Sequence, residues 1–310
     1  MDDNNNEPEP PLKVGRGNHV VESSNIQQSV ASNDGVAPNP DGSDIPDTLR
    51  VPASFNNQIL RPKKTTKLST FNIRTAREDW RLHELTCHIE KQGISIVGIQ
   101  EHRQIHDDEL LYKHIDNHLL ITSSAWRNSA QASQGGVGII LNKAAEQVLC
   151  DVNKISNRII KATFSGNPAT SIIVAYSPTN AKANEEEADL FYEQLRNAID
   201  SCPPHNFLAI LGDLNAKIGP AHVKFAHDKR TNENGFRLLD LASEKSLCIT
   251  NTMFQKRLGK RWSFEDSKGK RYLLDYILVN SKWKNSIMNT ECYSSFASTG
   301  SDHRVVTTEV

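Results

Sequence analysis

Eight polar residues stand at or beside the ends of short apolar segments, and together they could hydrolyse a phosphodiester. Leu68-Ser69-Thr70-Phe71 runs into Asn72, and Ile96-Val97-Gly98-Ile99-Gln100 runs into Glu101. Ala175 leads to Tyr176, and Leu208-Ala209-Ile210-Leu211-Gly212 leads to Asp213-Leu214-Asn215. Leu273-Leu274 precedes Asp275, and Ser301-Asp302-His303 precedes Arg304-Val305-Val306. Carboxylates and amides at the ends of buried strands can converge on one cleft, where their desolvation is costly unless a metal or hydrogen bonds compensate. Phosphodiester hydrolysis needs a hard cation on the phosphate oxygens, a held water that loses its proton, and donors for the developing charge. Glu101 and Asp302 suit the cation, since magnesium takes one or two carboxylates, several waters and the substrate phosphate. Asp213 and Asn215 suit the water, and His303, oriented by Asp275, suits a proton or charge role. Taken singly, each has a plainer reading. An Asp or Asn after a strand caps a turn. Asp275 fits a salt-bridged core carboxylate, His303 a satisfied structural histidine, and Tyr176 packing at a strand end.

The segments that would position these groups alternate between strand and helix periods. Strands are expected at 67–74, 94–100, 137–141, 207–211 and 247–250. A strand pair at 158–164 and 171–176 is joined by the turn residues Ser165-Gly166-Asn167-Pro168. Residues 80–92 carry Leu82, Leu85 and Ile89 at helical spacing, and 184–200 carry Ala188, Phe191, Leu195, Ala198 and Ile199 on one face. A third helix is expected at 235–244, one long strand at 272–279, and a loop with a terminal strand at 300–310. Hairpins mixed with crossovers favour an α/β or α+β sandwich over an all-parallel sheet.

Residues 1–65 read as a disordered tail. The stretch to about Arg61 is rich in Asn, Ser, Pro, Asp and Gly and has no sustained apolar period, so it cannot offset the entropy of ordering. Residues 66–310 are long enough for one domain with a double-sheet core. There is no apolar run of membrane-spanning length, and the acidic start MDDNNNEPEP is no secretory signal. The five cysteines are scattered, without a C-x-x-C pair, which argues against a disulfide framework or zinc knuckle and points to nucleus or cytoplasm. At a formal net charge of -1, any nucleic-acid surface must come from local clusters.

In order, the segments STFNIRTA, IVGIQEHR, GGVGIIL, VAYSPTN, LGDLNAKIG, YLLDYILVN and GSDHRVV resemble the endonuclease/exonuclease/phosphatase family from about Lys67 to Val306. GDLN with a downstream SDH is the most specific pair. The stretch TNENGFRLLDLASEKSLCITNTMF narrows the likeness to endonuclease domains of RTE-type non-LTR retrotransposons and of craniofacial development protein 2-like proteins. The resemblance implies a four-layer α/β sandwich, two mixed β-sheets face to face and flanked by helices. It implies a metal-dependent DNA endonuclease using Mg2+, with Mn2+ as a substitute and no organic cofactor. By position, Asn72, Glu101 and Asp302 would serve the metal. Asp213, Asn215, Tyr176 and the Asp275–His303 pair would be catalytic, with the general base left open between Asp213 and His303. Arg103 and Ser263 would contact phosphate. The abasic-site repair branch carries an acidic residue two positions after the first-motif Asn, where this chain has Arg74. That departure weighs against a repair role.

Residues 255–271 hold seven Lys and Arg residues interleaved with Trp262 and Phe264. Basic residues with aromatics suit a DNA backbone and an unstacked base, with Lys260, Arg261 and Trp262 as the candidate contacts. The alternatives are an inositol or lipid phosphodiesterase with the same chemistry, or a captured, non-catalytic DNA-binding or scaffold module.

Overall fold

Side-chain parity along the first two long strands, β1 (Lys67–Asn72) and β2 (Ile96–Gln100), sorts their residues into two cores on either side of one sheet. Leu68 and Ile96 join one core, whereas Phe71, Val97 and Ile99 join the other. The second core is completed by Leu82, Leu85 and Ile89 of helix α1 (Asp79–Gln92), which links the two strands and therefore covers the sheet's outer face. Helix α1 stops at Gly93, whose left-handed backbone (φ 63°) returns its N–H to the Ile89 and Glu90 carbonyls.

This is a computed structural model, and it describes residues 58–310 apart from 62, 295, 297 and 298. Its further strands are β3 (Leu110–Ile115), β4 (His118–Ser123), β5 (Trp126–Arg127), β6 (Ser133–Gln134), β7 (Val137–Asn142), β8 (Leu149–Ser156), β9 (Ile159–Phe164) and β10 (Thr170–Tyr176). After helices α2 (Lys143–Glu146) and α3 (Glu185–Asp200) come β11 (Phe207–Asp213), α4 (Glu233–Glu244), β12 (Leu247–Ile249), β13 (Phe264–Glu265), β14 (Arg271–Tyr272), β15 (Asp275–Asn280), β16 (Asn289–Tyr293) and β17 (Val305–Glu309). Seven strands form one sheet in the order β16-β17-β1-β2-β7-β4-β3, and six form a second in the order β12-β15-β11-β10-β9-β8. Each sheet holds one parallel pair, β1 with β2 and β10 with β11, among antiparallel neighbours. Both pairs are joined through a helix, α1 in the first case and α3 in the second.

The sheets meet face to face at Gly98. A methyl group there would lie 3.0 Å from Leu211 Cβ and 3.0 Å from Val174 Cγ2, so only glycine lets the layers approach this closely. Leu211 and Val174 thus mark the inner face of the second sheet. Helices α3 and α4 flank the opposite face of that sheet through Phe191, Tyr192, Leu195, Leu238 and Leu241. The result is a mixed α/β architecture with two large sheets and flanking helices.

Several strands escaped the pattern reading because they are edges. β3 exposes Tyr112, Lys113 and His114, and β8 exposes Cys150, Asp151 and Asn153, so neither carries an apolar run. The single strand expected at 272–279 is broken into β14 and β15. At the break, the Leu273 N–H donates to the Asp228 carboxylate, and the Leu274 and Asp275 N–H groups both donate to the Ser263 hydroxyl. Of the stretch assigned to the tail, residues up to 57 lie outside the described residues. Within 58–65, Ile59 is buried and its carbonyl accepts the hydroxyl of Thr66, which in turn exchanges two backbone hydrogen bonds with Val310. No helix among the described residues is long and apolar enough to cross a membrane.

Candidate active site

The carboxyl ends of the two parallel strand pairs lie on the same edge of the sandwich, where open α/β sheets hold their ligands. Asn72 is the last residue of β1, Tyr176 of β10 and Asp213 of β11, and Glu101 directly follows β2. Register completes the row. Tyr176 stands beside Asp213, and Asp213 stands directly across from Asp275, the first residue of the antiparallel β15. Asp213 shares the inward parity of Leu211, so the row points at the mouth between the sheets.

Hydrogen bonds join the sheets there. Asn72 Nδ2 donates to Glu101 Oε1 at 3.0 Å and to Asp213 Oδ2 at 2.9 Å, linking a carboxylate of each sheet. The Tyr176 hydroxyl donates to Glu101 Oε1 at 2.8 Å, and Arg103 Nη2 pairs with Glu101 Oε2 at 2.6 Å. Asn215 N–H donates to Asp213 Oδ1, and the Asn215 amide donates to the Ser177 carbonyl. His303 Nδ1 lies 2.8 Å from Asp275 Oδ2, while its Nε2 lies 3.9 Å from Asp213 Oδ2. Glu101, Arg103 and Asn215 all hold a left-handed backbone, at φ of 56°, 58° and 47°. Such conformations cost about 1 kcal/mol or more for residues other than glycine and asparagine, and they persist where surrounding bonds over-determine them.

Burial and neighbours set the charges. Burial and the facing Asp275 carboxylate push Asp213 up to about 7, against the pull of His303 and the Asn72 amide. Burial disfavours a charged His303, yet the Asp275 carboxylate and its hydrogen bond outweigh that and raise the imidazole to about 9. Burial also works against Glu101, but hydrogen bonds from Arg103, Asn72 and Tyr176 bring its carboxyl below the usual range. Burial beside Glu101 and Asp213 raises the Tyr176 phenol, so it acts only as a donor. In metal-free protein, His303 should therefore stay protonated through neutrality and titrate near pH 9 by NMR, and Asp275→Asn should lower that value. The stability it contributes is fully present below about pH 6.5 and is lost as pH rises through about 9. An imidazole titrating at its ordinary value would contradict this coupling.

The other expected site residues take varied positions. Asp302 is half-exposed, with its carboxylate 4.0 Å from the Arg74 guanidinium. Ser263 is fully buried, and its hydroxyl accepts from the backbone at 274 and 275, so it holds Asp275 in place instead of reaching a phosphate. Trp262 is also buried, with Arg304 stacked 3.3 Å from its ring centroid, and presents no free face to a base. Lys260 is neutralised by Glu291 at 2.7 Å, and Arg261 Nε is spent on the Lys256 carbonyl. Two positioning groups went unnoticed in the sequence. Ser301 Oγ donates to the Asn72 carbonyl and accepts the His303 N–H, tying the two motifs together. Asn234, fully buried, donates to the Pro178 carbonyl below the Tyr176 end.

Two groupings could hold a cation. Asp213, Asp275 and His303 place ligand atoms within 4.8 Å of one another. That cluster includes a nitrogen already committed to Asp275, which suits a proton relay. Glu101 offers only oxygens, at a rim where the carboxylate already draws a cationic partner in Arg103, and Asn72, whose oxygen now accepts the Arg74 N–H, would add its oxygen by turning its amide. An all-oxygen set fits magnesium or manganese better.

A profile of the Endonuclease/Exonuclease/phosphatase family matches residues 69–303. Craniofacial development protein 2 of Bos taurus is 28% identical over 245 residues, which is 77% of this chain and 40% of that protein, so the chain spans less than half of this relative's length. Among solved structures, the AP endonuclease LMAP of Leishmania major superposes with a TM-score of 0.63 at 13% identity, over 81% of this chain and 89% of that one. The endonuclease domain of TRAS1, a telomere-specific non-LTR retrotransposon, superposes with a TM-score of 0.56 at 14% identity, over 80% and 98%. At these identities the structural likeness speaks to fold alone.

Proposed function

The chain belongs to the Endonuclease/Exonuclease/phosphatase family, and on that premise we propose that it is a magnesium-dependent endonuclease that nicks DNA, derived from a retrotransposon. The observation that carries this reading is the Asn72 amide bridging Glu101 of one sheet to Asp213 of the other, with His303 held by Asp275 alongside. Glu101, with Asn72 and Asp302 assisting, would hold the metal, which when bound neutralises the phosphate oxygens and the charge growing on the leaving oxygen. The protein's own groups divide the remaining work. Asp213, poised near 7, takes the proton of the attacking water, whose position Asn215 and Asn72 fix. His303 is already protonated at neutral pH, so it serves as a donor to the phosphate and not as the base. Tyr176 donates to a second phosphate oxygen, and Arg103 shifts from Glu101 toward the substrate.

The stretch TNENGFRLLDLASEKSLCITNTMF, which resembles that of retroelement endonuclease domains, favours a retroelement-type nuclease. Abasic-site cleavage on the same fold is the second reading, and Arg74, standing where the repair branch carries an acidic residue, weighs against it. A comparison of supercoiled plasmid, an abasic oligonucleotide and an inositol phospholipid tests the assignment. Nicking of intact plasmid in magnesium is expected. Cleavage confined to the abasic strand, or phosphate release from lipid alone, would overturn it.

A further inference from the structure

The segment 217–231, between β11 and α4, is a closed loop with pinned ends. Asn232 N–H donates to the Lys217 carbonyl while Lys217 N–H donates to the Asn232 side chain, and Gly219 N–H donates to the Thr231 hydroxyl. The neck is tight, since a methyl group on Gly219 would stand 3.2 Å from Arg230 Cα and the Lys229 carbonyl. Compact loops closed in this way behave as rigid surface units. This one carries Lys217, Lys224, Lys229 and Arg230 against a single carboxylate, Asp228. That carboxylate is turned inward, where it accepts the Leu273 N–H.

The inward bond is one of three ties to the β13–β14 hairpin. His227 Nε2 meets the Arg271 carbonyl at 3.2 Å, and Lys217 Nζ sits 3.6 Å from the Tyr272 ring centroid, with Lys270 Nζ 5.2 Å from the same ring. Loop and hairpin are therefore one body, and its outward cations are Lys224, Lys229, Arg230, Lys268 and Lys270, all exposed, with the Asp266 carboxylate at the hairpin tip accepting the Lys268 and Lys270 backbone N–H groups. None of the five has an ion-pair partner among the described residues, in contrast to Lys256 and Lys260, which share Glu291. The body is anchored to the reaction centre at both ends. Lys217 follows Asp213 by four residues, and Lys270 precedes Asp275 by five. At about 3.3–3.6 Å per residue, those anchors lie within roughly 13–18 Å of the two catalytic strand ends. That distance covers the neighbouring phosphates of a duplex.

We propose that loop 217–231 and the tip of the β13–β14 hairpin form one rigid basic ridge that seats the DNA backbone on one side of the scissile phosphate. The inference rests on the nuclease reading and adds where the duplex lies. It adds to the basic stretch at 255–271, where Lys260 is ion-paired with Glu291 and Trp262 is buried, a set of exposed charges that have no ion-pair partner among the described residues. A chain of net charge -1 that concentrates unpaired cations beside its reaction centre steers a polyanion to that side alone.

Binding of the full chain to a fluorescein-labelled duplex, without divalent metal and across about 50 to 300 mM KCl, tests the ridge. The triple variant Lys224→Ala/Lys229→Ala/Arg230→Ala should lose about 2 to 3 units of the log–log salt slope, at about 0.9 per phosphate contact, and converge on the parent at high salt. A control variant, Lys91→Ala/Lys143→Ala/Lys284→Ala, removes the same charge from exposed lysines outside the ridge and should keep the parental slope. Thermal melting of both variants confirms that each is folded. A ridge variant with the parental slope overturns the proposal, as does a control that loses as much. Plasmid nicking by the parent keeps the two readings distinct. Binding with a steep slope but no nicking would sink the nuclease and leave the ridge, whereas nicking with an unchanged ridge-variant slope would do the reverse.

Discussion

Asp213→Asn should lower turnover by roughly 10²-fold or more while DNA affinity changes little. The substitution is nearly isosteric, but Asp213 accepts from Asn72 Nδ2 on Oδ2 and from the Asn215 N–H on Oδ1, so the single amide oxygen of asparagine keeps one of these bonds and loses the other. What is lost is a proton acceptor. Burial and the facing Asp275 hold the Asp213 carboxyl near 7, so at neutral pH a substantial fraction is ionised, and a proton it takes is easily given up. An amide cannot accept that proton. The effect belongs in kcat and should leave binding in the absence of metal unchanged. Removing the negative charge also relieves its repulsion of Asp275, which offsets the lost hydrogen bond, so a folded variant of about parental heat stability is expected. Nicking near the parental rate would remove Asp213 from the chemistry.

His303→Ala and Asp275→Asn should each slow turnover by a similar factor, about 10² or more, and the double variant should be barely worse than either single one. The reason is geometric. Asp275 Oδ2 is 2.8 Å from His303 Nδ1, and Asp275 Oδ1 is buried with no hydrogen-bond partner, so the carboxylate's polar work is done through the imidazole. Without Asp275 the ring loses both its orientation and the charge that keeps it protonated. Without His303 a buried carboxylate is left facing Asp213 unpaired. Multiplicative losses would show that the two act separately.

Much of this centre was legible in the sequence because strand ends advertise themselves. An apolar run that stops at a polar residue fixes both the end of a strand and the identity of the group placed there. Asn72, Glu101, Tyr176 and Asp213 all stand at such stops, whereas Asp275 reads as the interior of one strand at 272–279 and reaches a strand end only because the chain breaks between β14 and β15. Their convergence on one cleft was expected from those shared positions, but the contacts that bring it about were not legible, because they depend on two sheets packing at Gly98 and on the Asp213–Asp275 register, both set far apart in the chain. Edge strands such as β3 and β8 were hidden because water, not a core, faces much of their surface. The basic stretch at 255–271 misled in detail. Composition counts every lysine equally, whereas the fold pairs Lys260 with Glu291, inserts Trp262 beneath Arg304, and leaves Lys268 and Lys270 outside. Ser263 illustrates the same limit. A hydroxyl near a catalytic strand reads as a ligand contact, but burial gives it two backbone N–H groups to hold and nothing else to reach.

The most direct test of the central claim is relaxation of supercoiled plasmid by the full chain in magnesium, beside the same reaction in EDTA and beside Glu101→Gln in a magnesium titration. Glutamine keeps an oxygen for the Asn72 amide and the Tyr176 hydroxyl but removes the charge that a hard cation requires. The expected result is nicking by the parent, none in EDTA, and a Glu101→Gln variant that is slow and needs far more magnesium. Equal nicking in EDTA, or a Glu101→Gln variant indistinguishable from the parent at low magnesium, would contradict the account.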